Sequence, residues 1–272
     1  MSASSHYHLE TTLESDRQRT GDIYRKLAPI YDVIMKDVDY EDWTDYIHSL
    51  ISYHHPHATD LLELACGTGT MALLLEQYDD YRITATDASS EMIQIARDKG
   101  NRSGSSITWC VRDMCRLRME HSFDVIYMVF DSLNYLHKRE EVLALFNRVQ
   151  KHLKQDGRFI VDFTTPAYSP KIAPLLNEKQ KVDQRYTYNR ISKYDREKQI
   201  HINHFMIEKR EPDTGVIVDR FEEFHTQRIW TFTEMKALVQ ESGLNMLAAY
   251  EDFDFTDATD NSDRITMILQ HV

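Results

Sequence analysis

The sequence predicts an α/β fold: a mostly parallel sheet flanked by helices and interrupted by a small antiparallel β insertion. Three observations lead there. From Thr59 to about residue 163, short apolar runs alternate with helical patterns, and such alternation requires crossover connections and a mostly parallel sheet. From about 184 to 229, three stretches rich in aromatic and β-branched residues are separated by Tyr194-Asp195-Arg196-Glu197 and Glu211-Pro212-Asp213-Thr214-Gly215, and short turns of this kind join antiparallel strands. A last helical pattern and two strands then complete the chain.

Taken in order, residues 1–20 are polar, lack a periodic apolar face and read as a flexible tail. Tyr24, Leu27, Ile30, Tyr31 and Ile34 recur at helical spacing, as do Trp43, Tyr46, Ile47 and Leu50. The alternating region reads as strand 59–64, helix 70–77, strand 81–87, helix 90–99, strand 106–111, strand 123–130, helix 138–153 and strand 157–163. After Thr164-Thr165-Pro166 comes a loop or short helix, then strands at 184–194, 198–210 and 216–229. A helix over 233–242, with Gly243 as its C-cap, and strands at 244–250 and 264–270 follow. The implied organisation is a tail (1–20), a core domain (21–164 with 231–272) and an inserted unit (165–230) that serves as a substrate lid or a dimer interface.

Charge excludes one class of partner. Lys and Arg total 32 against 44 Asp and Glu, so the net charge of -12 repels polyanions and makes extended nucleic acid a poor partner. No apolar run approaches the roughly 20 residues of a membrane span, and no secretory leader is recognisable, so a cytoplasmic protein is expected. Cys66, Cys110 and Cys115 contain no C-x-x-C pair and read as reduced thiols. His6-Tyr7-His8 and Tyr53-His54-His55-Pro56-His57 lack acidic or thiol neighbours at ligand spacing, so no metal is expected.

The chemistry concentrates at strand ends. Leu61-Leu62-Glu63-Leu64-Ala65-Cys66-Gly67-Thr68-Gly69-Thr70 is an apolar strand running into a glycine turn that opens a helix. Glycines there let the backbone approach a ligand where a Cβ would collide. By pattern alone the turn also fits a dinucleotide fingerprint, with Asp87 as its ribose-binding acid. Glu63 argues against that, because a carboxylate there opposes a pyrophosphate but suits the cationic amino group of a methionyl moiety. Asp87 can accept from two ribose hydroxyls, Asp113 from an adenine amino group, and Met114 can offer its backbone N–H to the ring.

Together, Glu63-Leu-Ala-Cys-Gly-Thr-Gly69, Thr86-Asp-Ala-Ser-Ser-Glu-Met92, Arg112-Asp-Met114 and Phe123-Asp-Val-Ile-Tyr-Met128 resemble the class I S-adenosylmethionine-dependent methyltransferases. The likeness covers roughly residues 20–164 and the last strands. It implies a Rossmann-like, seven-stranded sheet with an antiparallel last strand. It also implies that Glu63, Ala65, Cys66, Gly67 and Gly69 hold the methionyl part of the donor, Asp87 the ribose, Ala88 and Met92 the adenine face, and Asp113 with Met114 the adenine edge. Phe130 is counted with that donor set.

Tyr24-Arg-Lys-Leu-Ala-Pro-Ile-Tyr31-Asp32 and an insertion after the fifth strand are similar to stand-alone bacterial small-molecule methyltransferases, the aminosugar N-methyltransferases among them. The resemblance implies that Tyr24 and Tyr31 fold over the donor, where an aromatic face attracts a sulfonium. The expected reaction is direct methyl transfer to a small-molecule acceptor. Asp131, Tyr135, His137 and His204 are candidate general bases, and Asn134, Tyr188 and Arg228 candidate acceptor contacts. An NAD(P)-dependent oxidoreductase and a non-catalytic donor-binding regulator are the competing readings.

Overall fold

The structure is a computed structural model that describes residues 24–78 and 80–272, so the expected tail at 1–20 lies outside the described residues. Two sheets organise it. A seven-stranded sheet has the order β10-β11-β5-β4-β1-β2-β3, formed by β1 (Asp60–Leu64), β2 (Arg82–Asp87), β3 (Thr108–Val111), β4 (Phe123–Met128), β5 (Leu153–Thr164), β10 (Leu244–Glu251) and β11 (Arg264–His271). A four-stranded antiparallel sheet is formed by β6 (Glu178–Lys181), β7 (Tyr186–Asp195), β8 (Ile200–Arg210) and β9 (Ile217–Arg228).

In the large sheet β11 runs antiparallel to both β5 and β10, whereas β1 pairs in parallel with β2 and β4, β2 with β3, and β4 with β5. This is the Rossmann-like methyltransferase arrangement the motifs implied. The chain leaves β1 toward β2 and β3, then crosses to β4 and β5 on the other side. Strand order therefore reverses at β1, which opens a crevice at the carboxyl ends of β1, β2 and β4.

Helices α1 (Tyr31–Ile34), α2 (Tyr40–His54), α3 (Thr70–Leu75), α4 (Ser90–Ser103), α5 (Arg139–His152), α6 (Ser169–Ile172) and α7 (Phe232–Glu241) accompany the strands. Local chemistry explains their limits. Asp39 caps α2 by accepting from the Asp42 amide, Ser89 caps α4 by accepting from Met92, and Thr231 with Glu234 forms a capping box on α7. One core lies under α5 and α7 and includes Phe123, Phe146, Phe159, Phe163 and Met235. Another lies under α2 and α3 and includes Ile47, Leu50, Leu61, Tyr127 and Ile268. Burying β1 and β4 on both faces explains their continuous apolar runs.

The structure departs from the periodicity in four places. The helix expected from Tyr24 through Ile34 is broken into turns, a 3₁₀ segment (Ala28–Ile30) and the short α1, because Pro29 cannot continue an earlier turn and Tyr24 is left-handed at φ 67°. Strand β5 begins at Leu153 rather than at 157, its early residues joining Phe123 across a register irregularity. Strand β6 reads as polar because Glu178-Lys-Gln-Lys181 is an edge strand with low β-propensity. Gly243 is not a left-handed cap: Ser242 terminates α7, and a Cβ on Gly243 would fall 1.9 Å from Gln150 Nε2.

Candidate active site

The turn after β1 curls through left-handed backbone at Ala65 (φ 54°), Gly67 (φ 55°) and Gly69 (φ 77°). Its conformation is held by Asp87 at the end of β2, whose Oδ2 accepts from the Gly67 amide at 2.9 Å and Oδ1 from Ser89 at 2.8 Å. The two glycines act differently. Gly67 faces the Tyr31 ring, 3.7 Å from where a Cβ would stand. At Gly69 a Cβ would fall 2.5 Å from the Trp109 ring, so this glycine lets the turn pack on β3 rather than admitting a ligand.

A cleft of about 930 Å³, including its open mouth, lies over this turn. It is lined by Glu63, Ala65, Cys66 and Gly67 at one end, by Asp87, Ala88, Met92 and Met114 at the other, and by Tyr24, Tyr31, Phe130 and Tyr135 above. Glu63 is buried on β1 and accepts from Tyr127 Oη at 3.1 Å. Burial pushes its carboxyl up to about 8, only partly offset by the Tyr127 hydroxyl. Burial also raises Asp87, against the Ser89 and Gly67 amides that favour its charge. Burial likewise pushes the Cys66 thiol up, leaving it an inert wall.

The segment from Tyr24 to Asp32 straps over the cleft. Asp32 accepts from Thr68 Oγ1 at 2.5 Å and pairs with Lys99 at 3.0 Å, and Lys99 also donates to Thr70 at 2.7 Å. At the strap's other end the amides of Lys26 and Leu27 donate to Glu223 Oε1 at 2.6 and 3.0 Å. Tyr24 Oη lies 2.5 Å from Tyr135 Oη, Tyr135 Oη lies 3.3 Å from His225 Nδ1, and His225 Nε2 lies 3.1 Å from Glu223 Oε2. A continuous hydrogen-bonded line thus runs from the cleft into the second sheet.

Beyond Tyr24 and Tyr135 the cleft meets a larger chamber between the two sheets, about 2530 Å³ with its open mouth included as for the cleft. Asp131, Arg190, His201, Asn203, His225 and Gln227 line it. Asp131 is held by Arg264 Nη2 at 2.8 Å and Gln227 Nε2 at 2.5 Å. Left-handed backbone at Tyr24, Ala65, Phe130, Asp131 and Phe253 is gathered around the two cavities, where strain is retained to aim side chains.

Several candidates from the sequence lie elsewhere. His204 stacks on Phe224 at 4.0 Å between centroids and pairs with Glu222 on the outer face of the second sheet. Arg228 shares that face, binding Lys198 O at 2.8 Å and Glu234 at 3.1 Å. In a strand, alternate residues point to opposite faces, so His204 and Arg228 are one position out of phase with the chamber. His137 turns outward to Thr226 O at 2.8 Å. Asn134 is fully buried and ties Thr164 O and Arg228 O together, a structural clamp at the junction of the sheets. Tyr188 packs beneath the strap and donates to Glu178 at 2.7 Å. Asp113 caps the following 3₁₀ turn through the Cys115 amide at 2.8 Å and is not part of the cleft wall, where Arg112 and Met114 stand instead.

The pattern also overlooked Tyr40, Thr68, Thr70, Met71, Arg112 and Ser132 in the cleft, and His201, Asn203 and Gln227 in the chamber. Thr68 and Thr70 lie inside the glycine motif and were within reach of it. The chamber residues were not, because β8 carries apolar residues on both parities: Ile200, Ile202 and Met206 on one, Phe205 and Ile207 on the other.

Comparison with known proteins agrees with this geometry. A methyltransferase-domain family profile matches residues 61–157. The chain is 29% identical over 248 residues to YqeM of Bacillus subtilis (strain 168), a protein that carries a methyltransferase name, covering 89% of this chain and 95% of that one. It is 26% identical over 145 residues to the dTDP-3-amino-3,6-dideoxy-alpha-D-glucopyranose N,N-dimethyltransferase of Streptomyces fradiae, covering 52% of this chain and 54% of that one. Among solved structures, an S-adenosylmethionine-dependent methyltransferase from Clostridium acetobutylicum ATCC 824 superimposes with a TM-score of 0.74 at 26% identity, covering 91% of this chain and 98% of that one. The cleft fits such a donor: a buried carboxylate for a cationic amine at one end, a second carboxylate for a vicinal diol, and apolar Met92 and Met114 for a purine. The matching profile, the similar chains and the fold agree: the chain carries a methyltransferase domain on the Rossmann-like fold of the S-adenosylmethionine-dependent methyltransferases.

Proposed function

We propose that the protein methylates a small-molecule acceptor held in the chamber between the two sheets, with the insertion at 165–230 forming its outer wall. The observation that carries this reading is the continuity of cleft and chamber at Tyr24 and Tyr135, which line both. When bound in the cleft, S-adenosylmethionine supplies a methyl group already activated as an electrophile. The chain's own task is to align the acceptor atom and exclude water, which the strap does by closing over the cleft. The small-molecule amine named for the Streptomyces fradiae relative is the acceptor type this arrangement suits.

An acceptor proton leaves through the Tyr24–Tyr135 hydroxyl pair. Burial raises both phenols, so they remain neutral conduits rather than bases. His225 donates from Nε2 to Glu223, which leaves Nδ1 as the lone-pair acceptor toward Tyr135. When the acceptor's lone pair displaces the donor sulfur from the methyl carbon, the S–C electron pair leaving with sulfur, the acceptor's proton would pass to Tyr135 and the Tyr135 proton to His225, leaving an imidazolium beside the Glu223 carboxylate. Asp131, already paired with Arg264 and Gln227, orients the chamber instead of taking the proton. The cysteines among the described residues are unpaired, as in a reducing compartment, and we place the enzyme in the cytoplasm. Incubating the protein with isotopically labelled donor and a metabolite extract should produce a mass-shifted small molecule; labelled protein or nucleic acid instead would refute the reading.

Two donor-site predictions follow from the geometry. Asp87→Ala removes a carboxylate that holds the Gly67 and Ser89 amides and is placed for two ribose hydroxyls. Donor affinity should fall about 100-fold, or roughly 2.7 kcal/mol, by calorimetry. An unchanged dissociation constant would remove Asp87 from the donor site.

Glu63, up at about 8, is protonated in the free protein at neutral pH. A cation bound beside it favours the charged form and lowers its pKa, so protons are expelled between the bound and free values. Donor binding at pH 7 should release about one proton, and affinity should rise with pH toward 8, above which the donor's own amine begins to lose its charge. Calorimetry in buffers of different ionisation enthalpy measures the count. Glu63→Gln should abolish the release, and an identical count in that variant would assign the proton elsewhere.

A further inference from the structure

We propose that the acceptor carries an oxyanion, a carboxylate or a phosphate, and that Arg190 binds it inside the chamber; this rests on the reading that the chamber is the acceptor site. Arg190 lies on β7 facing the cavity, with Nε donating to Asn203 Oδ1 at 3.0 Å and its guanidinium 5.2 Å from the Phe205 ring centroid. These contacts fix the plane of the fork and leave its Nη edge without a hydrogen bond or ion pair among the described residues. A planar guanidinium held in this way matches the two oxygens of a carboxylate or phosphate.

The other charged groups around it are already matched. Glu178, opposite Arg190 in the β6–β7 register, accepts from Tyr188 Oη at 2.7 Å and Gln180 Nε2 at 2.6 Å and forms no ion pair with Arg190. Asp131 pairs with Arg264, and Glu223 holds His225 and the strap amides. His201 sits between Ser192 Oγ at 2.8 Å and Ser169 Oγ at 3.3 Å, and burial pushes it down to about 4, so it is neutral. Asp37, Asp39, Asp42 and Asp45 line the mouth but are exposed, where water and salt screen them. Among the described residues that line the interior, Arg190 is the guanidinium without a carboxylate partner, and it lies behind an acidic entrance.

Burial weakens the preference of Arg190 for its charge, yet a guanidinium stays protonated in a protein, so an incoming oxyanion replaces lost hydration. Arg190 also lies within electrostatic reach of Tyr24 and Tyr135, which places the oxyanion near the acceptor atom and favours a compact ligand.

The test titrates full-length protein, saturated with S-adenosylhomocysteine, with inorganic phosphate and separately with malonate, followed by calorimetry. At least one anion should bind wild type in the millimolar range, and which of the two binds identifies the oxyanion. Arg190→Gln, which keeps a donor toward Asn203, should weaken that binding at least tenfold while S-adenosylhomocysteine affinity stays within about twofold. Arg190→Lys should restore part of it. Equal anion binding in wild type and Arg190→Gln, or no binding of either anion to wild type, overturns the proposal. Gln227→Trp, which obstructs the chamber, separates the two readings: if it abolishes methyl transfer from labelled donor while anion binding fails, the chamber stands and only its anionic preference falls.

Discussion

Replacing His225 by Gln is expected to lower kcat for any acceptor that must lose a proton by roughly 100- to 10,000-fold, the usual range for general base catalysis. The expectation follows from the line Tyr24–Tyr135–His225–Glu223, whose members are joined at 2.5, 3.3 and 3.1 Å and whose inner pair, His225 and Glu223, is buried. Tyr135→Phe breaks the same line one bond earlier and should lose a similar factor. Because neither change removes a carboxylate that binds the donor, donor affinity should stay within about twofold, separating a loss in the chemical step from a loss of binding. Glu223→Gln should differ in kind. Glu223 also receives the Lys26 and Leu27 amides, so its replacement should loosen the strap as well as His225. Hydrogen exchange at residues 24–34 reports that loosening. Full activity in His225→Gln with a protonated acceptor would assign the proton to another group.

Arg264→Met should destabilise the fold by about 3–5 kcal/mol, the cost of leaving a buried charge without its partner. Arg264 pairs with Asp162, whose side chain is fully buried on β5, and with Asp131 at 2.8 Å, and its guanidinium stands 5.1 Å from the Trp43 ring centroid. Burial holds the Asp162 carboxyl up at about 6 even with Arg264 against it. Without the guanidinium it rises further. Since the folded value is then well above the unfolded carboxylate value of about 3.9, the folded state holds a proton that the unfolded state releases. The deficit should therefore be largest above the raised value and shrink as pH falls toward about 6, below which both folded proteins hold the proton and the deficit levels off. Urea unfolding at pH 5 and pH 8 should show the smaller deficit at pH 5, and adding Asp162→Asn should recover most of the loss at pH 8. An equal deficit at both pH values would mean that lost packing, not the stranded carboxylate, explains it.

How much of this was legible in advance depended on how local each feature is. The parallel core could be read because buried strands leave continuous apolar runs, as in Leu61-Leu62 and Val125-Ile126-Tyr127-Met128, and because caps such as Ser89 and Thr231 mark helix starts within three residues of their partners. The donor cleft was legible for a related reason. Glu63, Gly67, Asp87 and Met114 stand at or just beyond strand ends, and a parallel sheet aligns those ends along one edge whatever else the chain does.

The chamber had no such local marker. In β8 and β9 both faces carry apolar side chains, so period-two alternation could not tell His201 from His204 or Gln227 from Arg228. Only the register of the second sheet against the first turns one set inward, and a shift of one residue would exchange them. The short β6, the Pro29 break and the seat of the strap likewise depend on partners distant in the chain, since Glu223 meets Lys26 across |i−j| of 197 residues. The sequence by itself determined the donor-binding α/β core, because its signals are periodicity and strand-end chemistry within short windows. The tertiary structure alone decided which histidines and which arginine face the chamber, because that choice belongs to packing between two sheets and a strap that no local pattern encodes.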